Sequence, residues 1–506
     1  MAEPAASAVQ RARAWYVAGC AETDRGEYAT AATSFERALA IAPDWCEAQH
    51  NLGRALFELG RVDHAVRCFE RAALGPQAGL PRAMCAVAIP GSSADHEAVL
   101  DARQRWAREF LPPMRPGPSP RRIAPGDRLR VGYVSSFFHR PNWMKPVWSL
   151  LNHHDRDVVE VHLLADSAGW TGGGGYRPHP ADRVHAIAGL PNEEAAATIE
   201  RLGIDVLVDL NAFSKPARLP LYQWRPAPVI ASWFNLYATS GMACFDYIVG
   251  DDTVIAPGEE RHYCERVVRV DGTYLAFEPS GDAPDVVDAP CAGSGEITFG
   301  CLASQYKLTP DVFDAWGRIL DRAPSSRLLL RNAALGAASV RRYVHDELAA
   351  RGVAPSRLRL LGGADHVEFL RTYDAIDVAL DPFPYSGGTT TMEAIWQGVP
   401  VLTFHGDRWA SRTSASILHA AGLSEFVARD VDDYVDLAIR LATSPDSAPW
   451  LAALRRSMRA QVQGSDACNG PKLARSMERL YRGMPDARTE DAHREGRVFR
   501  ESGPAA

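Results

Sequence analysis

The stretch DPFPYSGGTTTMEAIWQGVP, Asp381 to Pro400, carries the densest set of residues able to do chemistry. A strand-like run ends at Asp381, the backbone turns through Gly387 and Gly388, and a helix is expected to begin around Thr389 to Met392. The first N–H groups of a helix have no partner within it, and the helix dipole puts partial positive charge at that end. Together with the hydroxyls of Thr389, Thr390 and Thr391, such an end can hold a diphosphate without a metal ion. Glu393, one turn in, can accept a hydrogen bond from a ribose hydroxyl. A plain N-cap beside a glycine turn accounts for part of the threonine run and not for all of it. The second constellation is FGCLASQYKLTPDVFDAW, Phe299 to Trp316, where Gln305, Tyr306 and Lys307 stand between a strand and a helix start at Thr309 and Pro310. A lysine at a strand's C-terminal end can neutralise a leaving phosphate. Alone it would be ordinary surface; its interest comes from facing the threonine site.

Such loops need rigid elements behind them. From Leu129 the pattern is short apolar strands alternating with helices, which implies mostly parallel sheets. LRVGYVSS, VEVHLLA, DVLVDL, PVIASWF and YIVGD form one α/β unit; ITFGCLA, RLLLRN, LRLLG, DVALD and PVLTF form a second. Two such units in series are expected to form a cleft at strand C-terminal ends. Helices near Val431 to Ala442 and Gly470 to Arg482 are expected to close the second. SAGWTGGGGYRPHP, Ser167 to Pro180, reads as a lid or an insertion loop.

Upstream the chain repeats. Gly19, Ala31, Phe35 and Ala38 return 34 residues later as Gly53, Ala65, Phe69 and Ala72, the tetratricopeptide period. Small residues let paired helices approach, and the phenylalanines fill the gap. Roughly two and a half repeats give a short concave surface, enough for one peptide segment or for self-association. The period decays after Leu74, although Ala94 to Phe110 still has helical spacing and is expected to cap the stack. The proline-rich LPPMRPGPSPRRIAPGD, Leu111 to Asp127, then marks a boundary. The expected domains are therefore a helical repeat domain at 1–110, a linker at 111–127, α/β lobes at 128–290 and 291–485, and a charged, disordered tail at 486–506.

Composition limits the function classes. With 46% hydrophobic and 23% charged residues, the 506-residue chain is neither collagen-like, wholly disordered nor a membrane bundle. A net charge of −7 argues against a general nucleic-acid binder. Nine scattered cysteines without a C-x-x-C pair are expected to be reduced thiols. The N-terminus has no signal-type apolar segment and the chain no apolar run of spanning length, so a cytoplasmic protein without a membrane span is expected.

From the repeats to Tyr481 the sequence resembles the protein O-GlcNAc transferase and SPINDLY family, on LRVGYVSS, DLN (Asp209 to Asn211), RPAP (Arg225 to Pro228), TSG (Thr239 to Gly241), DY (Asp246, Tyr247), QYK, DPFPYSGGTTT and ASRTSAS (Ala410 to Ser416). The resemblance implies tetratricopeptide repeats followed by an α/β GT-B glycosyltransferase with two Rossmann-like lobes, working on a nucleotide-sugar, UDP-linked by preference, without metal or other cofactor. It implies Lys307 on the phosphates, helped by Gln305, Gly388 and Thr389 to Thr391, with Glu393 on the ribose and Ala364 and Phe369 beside the base. Asp209 and Asn211 fall on the acceptor and sugar side, and the repeats would present a protein or peptide acceptor. The implied chemistry is inverting transfer to Ser or Thr. D-V-D at Asp430 to Asp432 lies away from these elements and is not expected to bind metal.

The sequence also departs from its relatives. They read S-x-D-F-x-x-H after the first strand, whereas this chain reads SSFFHRPNWMK, with Phe137 for the aspartate and Pro141 for the histidine. His139 or Lys145 are the candidate substitutes; His139 is carried as a candidate catalytic residue beside Lys307, and the general base stays open. Phe369 replaces a histidine that stacks on the base, and NAFS and NLYA replace acceptor-side motifs. Three readings follow: a protein glycosyltransferase, an inactive repeat scaffold, or a transferase for a non-protein acceptor.

Overall fold

The computed structural model describes residues 5–124, 126–279, 281 and 283–501. Six helices come first: α1 (Ala5–Asp24), α2 (Tyr28–Ile41), α3 (Cys46–Glu58), α4 (Val62–Ala72), α5 (Gly79–Ala88) and α6 (His96–Phe110). There follow β1 (Leu129–Ser135), α7 (Lys145–Leu151), β2 (Val159–Ala165), β3 (Arg183–Ala186), α8 (Asn192–Arg201), β4 (Val206–Asp209), β5 (Val229–Ser232), β6 (Tyr247–Gly250) and β7 (Arg266–Arg269). A second series runs α9 (Cys291–Ser294), β8 (Thr298–Cys301), α10 (Pro310–Arg322), β9 (Arg327–Arg331), α11 (Ala338–Ala349), β10 (Leu358–Leu361), α12 (His366–Arg371), β11 (Val378–Leu380), α13 (Thr389–Trp396), β12 (Val401–Phe404), α14 (Trp409–Ala420), β13 (Val427–Ala428), α15 (Val431–Thr443), α16 (Ser447–Gln463) and α17 (Gly470–Glu501).

Two compact units result, and neither is continuous in sequence: Met1–Ala102 with Pro279–Ser465, and Arg103–Glu278 with the chain from Asp466 onward. These breaks, after Ala102, Glu278 and Ser465, differ from the expected boundaries at 110, 290 and 485. Arg103 is buried in the second of these units, donating to the Thr239 carbonyl at 2.6 Å and lying 4.1 Å from the centre of the Phe213 ring. The helix expected to close the last lobe also belongs there. Glu478 of α17 is buried, and its carboxylate accepts from His154 Nδ1 at 2.8 Å. Tyr133 of β1 joins the same network, 2.7 Å from His154 Nε2 and 3.4 Å from the Tyr481 hydroxyl. The backbone of α17 continues to Glu501, through much of the segment expected to be disordered, which is rich in helix-forming Ala, Arg and Glu; residues 502–506 lie outside the described residues. The linker is tied down as well. Arg121 grips Asp205 at 2.8 and 3.0 Å, and Arg115 stacks 3.4 Å from the Trp224 ring centre.

In the repeats the 34-residue period has a direct cause. A Cβ on Gly19 would lie 2.7 Å from the Phe35 ring, and one on Gly53 2.6 Å from the Phe69 ring. Both rings are fully buried. Only glycine lets the helices of each pair close on the aromatic plug, so glycine and phenylalanine recur together. Helix α5, which follows the decayed period, was not expected from the spacing.

Both sheets are parallel and share one strand order. The first runs β3-β2-β1-β4-β5-β6-β7, the second β10-β9-β8-β11-β12-β13. The order reverses between β1 and β4 and between β8 and β11. At each reversal the following loops diverge to opposite faces and leave a crevice outside the strand ends. All ten apolar strands expected from the sequence are present. The three unforeseen ones are edges: β3 and β7 carry arginines and face solvent, and β13 has two residues.

Candidate functional site

The crevice of the second sheet lies between the loops after β8 and β11, and the threonine and lysine motifs occupy those two loops. After β8 the chain makes a short 3-10 turn, Gln305–Lys307, before Thr309 caps α10 by accepting from the Val312 N–H at 3.4 Å. After β11 it runs from Asp381 to the N-terminus of α13. The Lys307 ammonium donates to the Ser386 carbonyl at 2.7 Å and lies 4.2 Å from the Tyr385 ring centre. It is thereby held beside the glycine pair that opens α13. Burial pushes its pKa down to about 8, against the attraction of Asp381 and Cys301.

Asp381 ties the loop from below. One carboxylate oxygen accepts from the Gly387 N–H at 2.7 Å and the other from the Thr403 hydroxyl at 2.8 Å. Burial raises its pKa to about 6, opposed by its hydrogen bonds and by Lys307. The turn has no room for a side chain, since a Cβ on Gly387 would lie 2.2 Å from Thr391 Oγ1. Ser386 is fixed from α14: its N–H and hydroxyl both donate to the Ala410 carbonyl at 2.8 Å. Thr391 Oγ1 lies 2.7 Å from the Ser414 hydroxyl. The ASRTSAS motif therefore supports the loop that opens α13, a role hidden in the sequence because the contacts span 24 and 23 residues.

The three threonines divide their work. Thr391 is buried and bonded to α14, whereas Thr389 and Thr390 are half-buried on the open end of α13. Gly388, the N-cap, offers no side-chain cap. The first-turn N–H groups of α13 are thus left for a ligand, as the geometry of a helix start dictates.

The remaining expected residues gather around this end. Glu393 is buried with a carboxylate oxygen 3.5 Å from His366 Nε2 at the start of α12. His366 stacks on Phe369, ring centres 6.3 Å apart and planes 13° from parallel. Phe369 meets Tyr373 edge to face, and the Tyr373 hydroxyl donates to the Thr390 carbonyl at 3.0 Å. Ala364 lies half-buried in the loop before α12. Gln305 is buried; its carbonyl accepts from Asn332 Nδ2 at 3.2 Å and its Nε2 has no protein partner. His366, Asp381, Tyr385 and Ser386 were not singled out from the sequence. Of these only Asp381 carries a signal there, as an acid at a strand end beside a glycine turn.

The equivalent crevice of the first sheet is built differently. Asp209, at the end of β4, is wholly buried and accepts from the Tyr222 hydroxyl at 2.6 Å and from the N–H groups of Asn211 and Ala212 at 3.0 and 2.8 Å. Burial raises its pKa. These bonds fix the backbone at Asn211 and Ala212. Asn211 Oδ1 accepts from the Ser136 N–H at 2.7 Å, while its buried Nδ2 has no protein partner. Neither histidine substitute gains support. His139 is exposed on the turn after β1, and Lys145 is buried 5.4 Å from the Phe277 ring centre. Phe137 and Trp143 pack edge to face, 4.4 Å between centres. The glycine-rich loop is anchored: Trp170 stacks on Phe138 at 4.7 Å, and a Cβ on Gly175, at φ +108°, would lie 2.6 Å from the Trp148 ring. D-V-D resolves into fold contacts, Asp430 capping α15 and Asp432 pairing with Arg318. Among the described residues no group of His, Cys, Asp and Glu side chains could hold a metal ion, and no helix is long and apolar enough to cross a membrane.

Comparison with known proteins covers most of the chain. The family model of glycosyl transferase family 41 matches residues 117–280 and 293–473, and a tetratricopeptide-repeat model matches 12–44 and 47–73. The probable UDP-N-acetylglucosamine–peptide N-acetylglucosaminyltransferase SPINDLY of Solanum lycopersicum is 30% identical over 398 residues, 77% of this chain and 42% of that protein. The UDP-N-acetylglucosamine–peptide N-acetylglucosaminyltransferase of Caenorhabditis elegans is 26% identical over 63% of this chain and 38% of its own length. The chain thus spans about two fifths of the length of these curated relatives. A solved structure of a lysine-to-methionine mutant of the Thermobaculum terrenum O-GlcNAc transferase is 30% identical, with a TM-score of 0.83 over 96% of this chain and 100% of that one.

Proposed function

The chain belongs to glycosyl transferase family 41, and from that premise we propose that it moves N-acetylglucosamine, or a related sugar, from a UDP-linked donor to Ser or Thr hydroxyls of a protein. The observation that carries this reading is the meeting of Lys307 with the open end of α13 at the strand-order reversal of the second sheet. A diphosphate bound there receives the first-turn N–H groups, the Thr389 and Thr390 hydroxyls and the lysine. In an inverting transfer the acceptor hydroxyl attacks the anomeric carbon opposite the diphosphate and releases its proton to solvent. The bond from that carbon to the diphosphate breaks, and the leaving oxygen takes the electron pair. Lys307 and the α13 amides stabilise that developing charge, so the proposed chemistry is metal-independent. Glu393 holds the ribose, and Phe369 and the loop at Ala364 flank the base. The repeats supply the acceptor-binding surface.

The test is binding and hydrolysis of a panel of UDP- and GDP-sugars by the purified chain and its Lys307→Ala variant, followed by protein, peptide and carbohydrate acceptors. One UDP-sugar bound and slowly hydrolysed, with hydrolysis lost in the variant and sugar passed to a protein, is the expected result. Transfer only to a non-protein acceptor replaces the acceptor assignment. Binding of no donor leaves the scaffold reading, which draws its support from Pro141 in place of the relatives' histidine.

A further inference from the structure

We propose that the tetratricopeptide repeats position the donor-site lysine: Phe57 and Gly60 act on Lys307 through Tyr306 and Tyr385. The repeats and the second sheet belong to one compact unit. Phe57, near the end of α3, stacks on Tyr306 with ring centres 5.1 Å apart and planes 12° from parallel. Tyr306 directly precedes Lys307 and meets Tyr385 edge to face at 6.1 Å and 87°. The Tyr385 ring carries the lysine ammonium at 4.2 Å, and the next residue, Ser386, accepts its hydrogen bond. A continuous series of rings therefore runs from the second repeat to the ammonium.

The backbone makes the same join. Gly60, at φ +82° in the turn between α3 and α4, sits where a Cβ would lie 2.1 Å from the Leu308 carbonyl oxygen and 3.2 Å from that of Gln305. The repeat turn is thus flush against both ends of the 3-10 turn that holds Lys307. The turn itself is short: the Lys307 N–H donates to the Ser304 carbonyl, the Leu308 N–H to that of Gln305 and the Thr309 N–H to that of Lys307, with Asn332 on the Gln305 side chain. A lysine side chain loses rotamer entropy when it is fixed, and ring packing from the repeats keeps it in one place before the donor arrives. The carboxylate acting on the ammonium, Asp381, follows a strand end of the sheet, the nearby Cys301 thiol is held neutral by burial, and Glu58 of α3 acts on Tyr306. Truncating Phe57 leaves all of these in place and changes only packing and water access. The repeats are then part of the donor site as well as an acceptor surface.

This inference rests on Lys307 as a phosphate ligand, and the test separates the two. UDP is titrated calorimetrically into the full chain between about pH 6.5 and 9.5, bracketing the lowered lysine pKa. Wild type should lose affinity as pH rises through about 8. Lys307→Ala should bind about tenfold or more weakly, with no inflection there. Phe57→Ala should bind about three- to tenfold more weakly at neutral pH, with the inflection displaced upward as water reaches the ammonium. Phe57→Tyr should restore both. Adding Phe57→Ala to Lys307→Ala should cost nothing further. Phe57→Leu, which keeps apolar bulk without the ring, should shift the inflection in the same direction and serves if the alanine variant does not fold. Should wild type fail to bind UDP, or Lys307→Ala bind it normally, the phosphate assignment falls and the inference with it. If Lys307→Ala weakens UDP while the folded Phe57 variants keep wild-type affinity and inflection, the lysine stands and its positioning by the repeats is refuted.

Discussion

The two sheets reverse strand order at corresponding places and use the two crevices in opposite ways. In the second, the loop after β11 ends in glycines, so the helix start stays open and a lysine stands beside it. In the first, the loop after β4 is closed on itself: Asp209 consumes two backbone N–H groups and a tyrosine hydroxyl, and Asn211 consumes the Ser136 N–H. Topology places both crevices, but the side chains decide whether backbone donors are spent within the fold or left for a ligand. The motifs that agree with relatives follow the same division. ASRTSAS and Asp381 build the open crevice, whereas Arg225 of RPAP binds the Cys244 and Pro228 carbonyls at 2.6 and 2.9 Å as a fold contact.

Variants on the two sides should part accordingly. Lys307→Ala should lower donor turnover by about a hundred- to a thousandfold, the worth of a preorganised charge on a leaving group, with the thermal midpoint nearly unchanged; full turnover would remove the lysine from the chemistry. Asp209→Ala should do the reverse. It strands a tyrosine hydroxyl and two N–H groups, costing about 3 kcal/mol of stability by denaturant unfolding, while UDP affinity of the folded fraction stays within about twofold. A loss of affinity larger than the loss of stability would show that the first crevice also binds the donor. Thr390→Val, nearly isosteric, should weaken UDP by about 1.5–3 kcal/mol in calorimetry, as expected for a hydroxyl on a charged group. In the same experiment wild-type affinity should decline as pH rises above about 8, where Lys307 loses its charge. The smallest effect belongs to Asp432, whose exposed pairing with Arg318 is worth less than about 1 kcal/mol. Asp432→Ala should leave stability and donor binding unchanged, and so should a chelator.

Much of this was legible in the sequence wherever neighbours in the chain are neighbours in space. The threonines and the glycine turn form one contiguous loop, and strands buried on both faces read as unbroken apolar runs. What stayed hidden was tertiary. Strands β3 and β7 pair on one side only and carry charges that look like loop. Helix α17 has an ordinary helical pattern, and nothing in it reveals that Glu478 reaches His154, 324 residues away. The resemblance puts Asp209 on the acceptor and sugar side, and nothing in the sequence reveals that it is buried with its carboxylate bonded to Tyr222, Asn211 and Ala212. The tie from Phe57 to Tyr306 was invisible for the same reason, since each residue alone reads as one more aromatic.

The most direct test of the central claim is a crystal structure of the chain with UDP. The account predicts the diphosphate at the N-terminus of α13, within hydrogen-bond reach of the Lys307 ammonium, the Thr390 hydroxyl and the first-turn N–H groups. A diphosphate bound anywhere else, with Lys307 still on the Ser386 carbonyl and the end of α13 untouched, would contradict it.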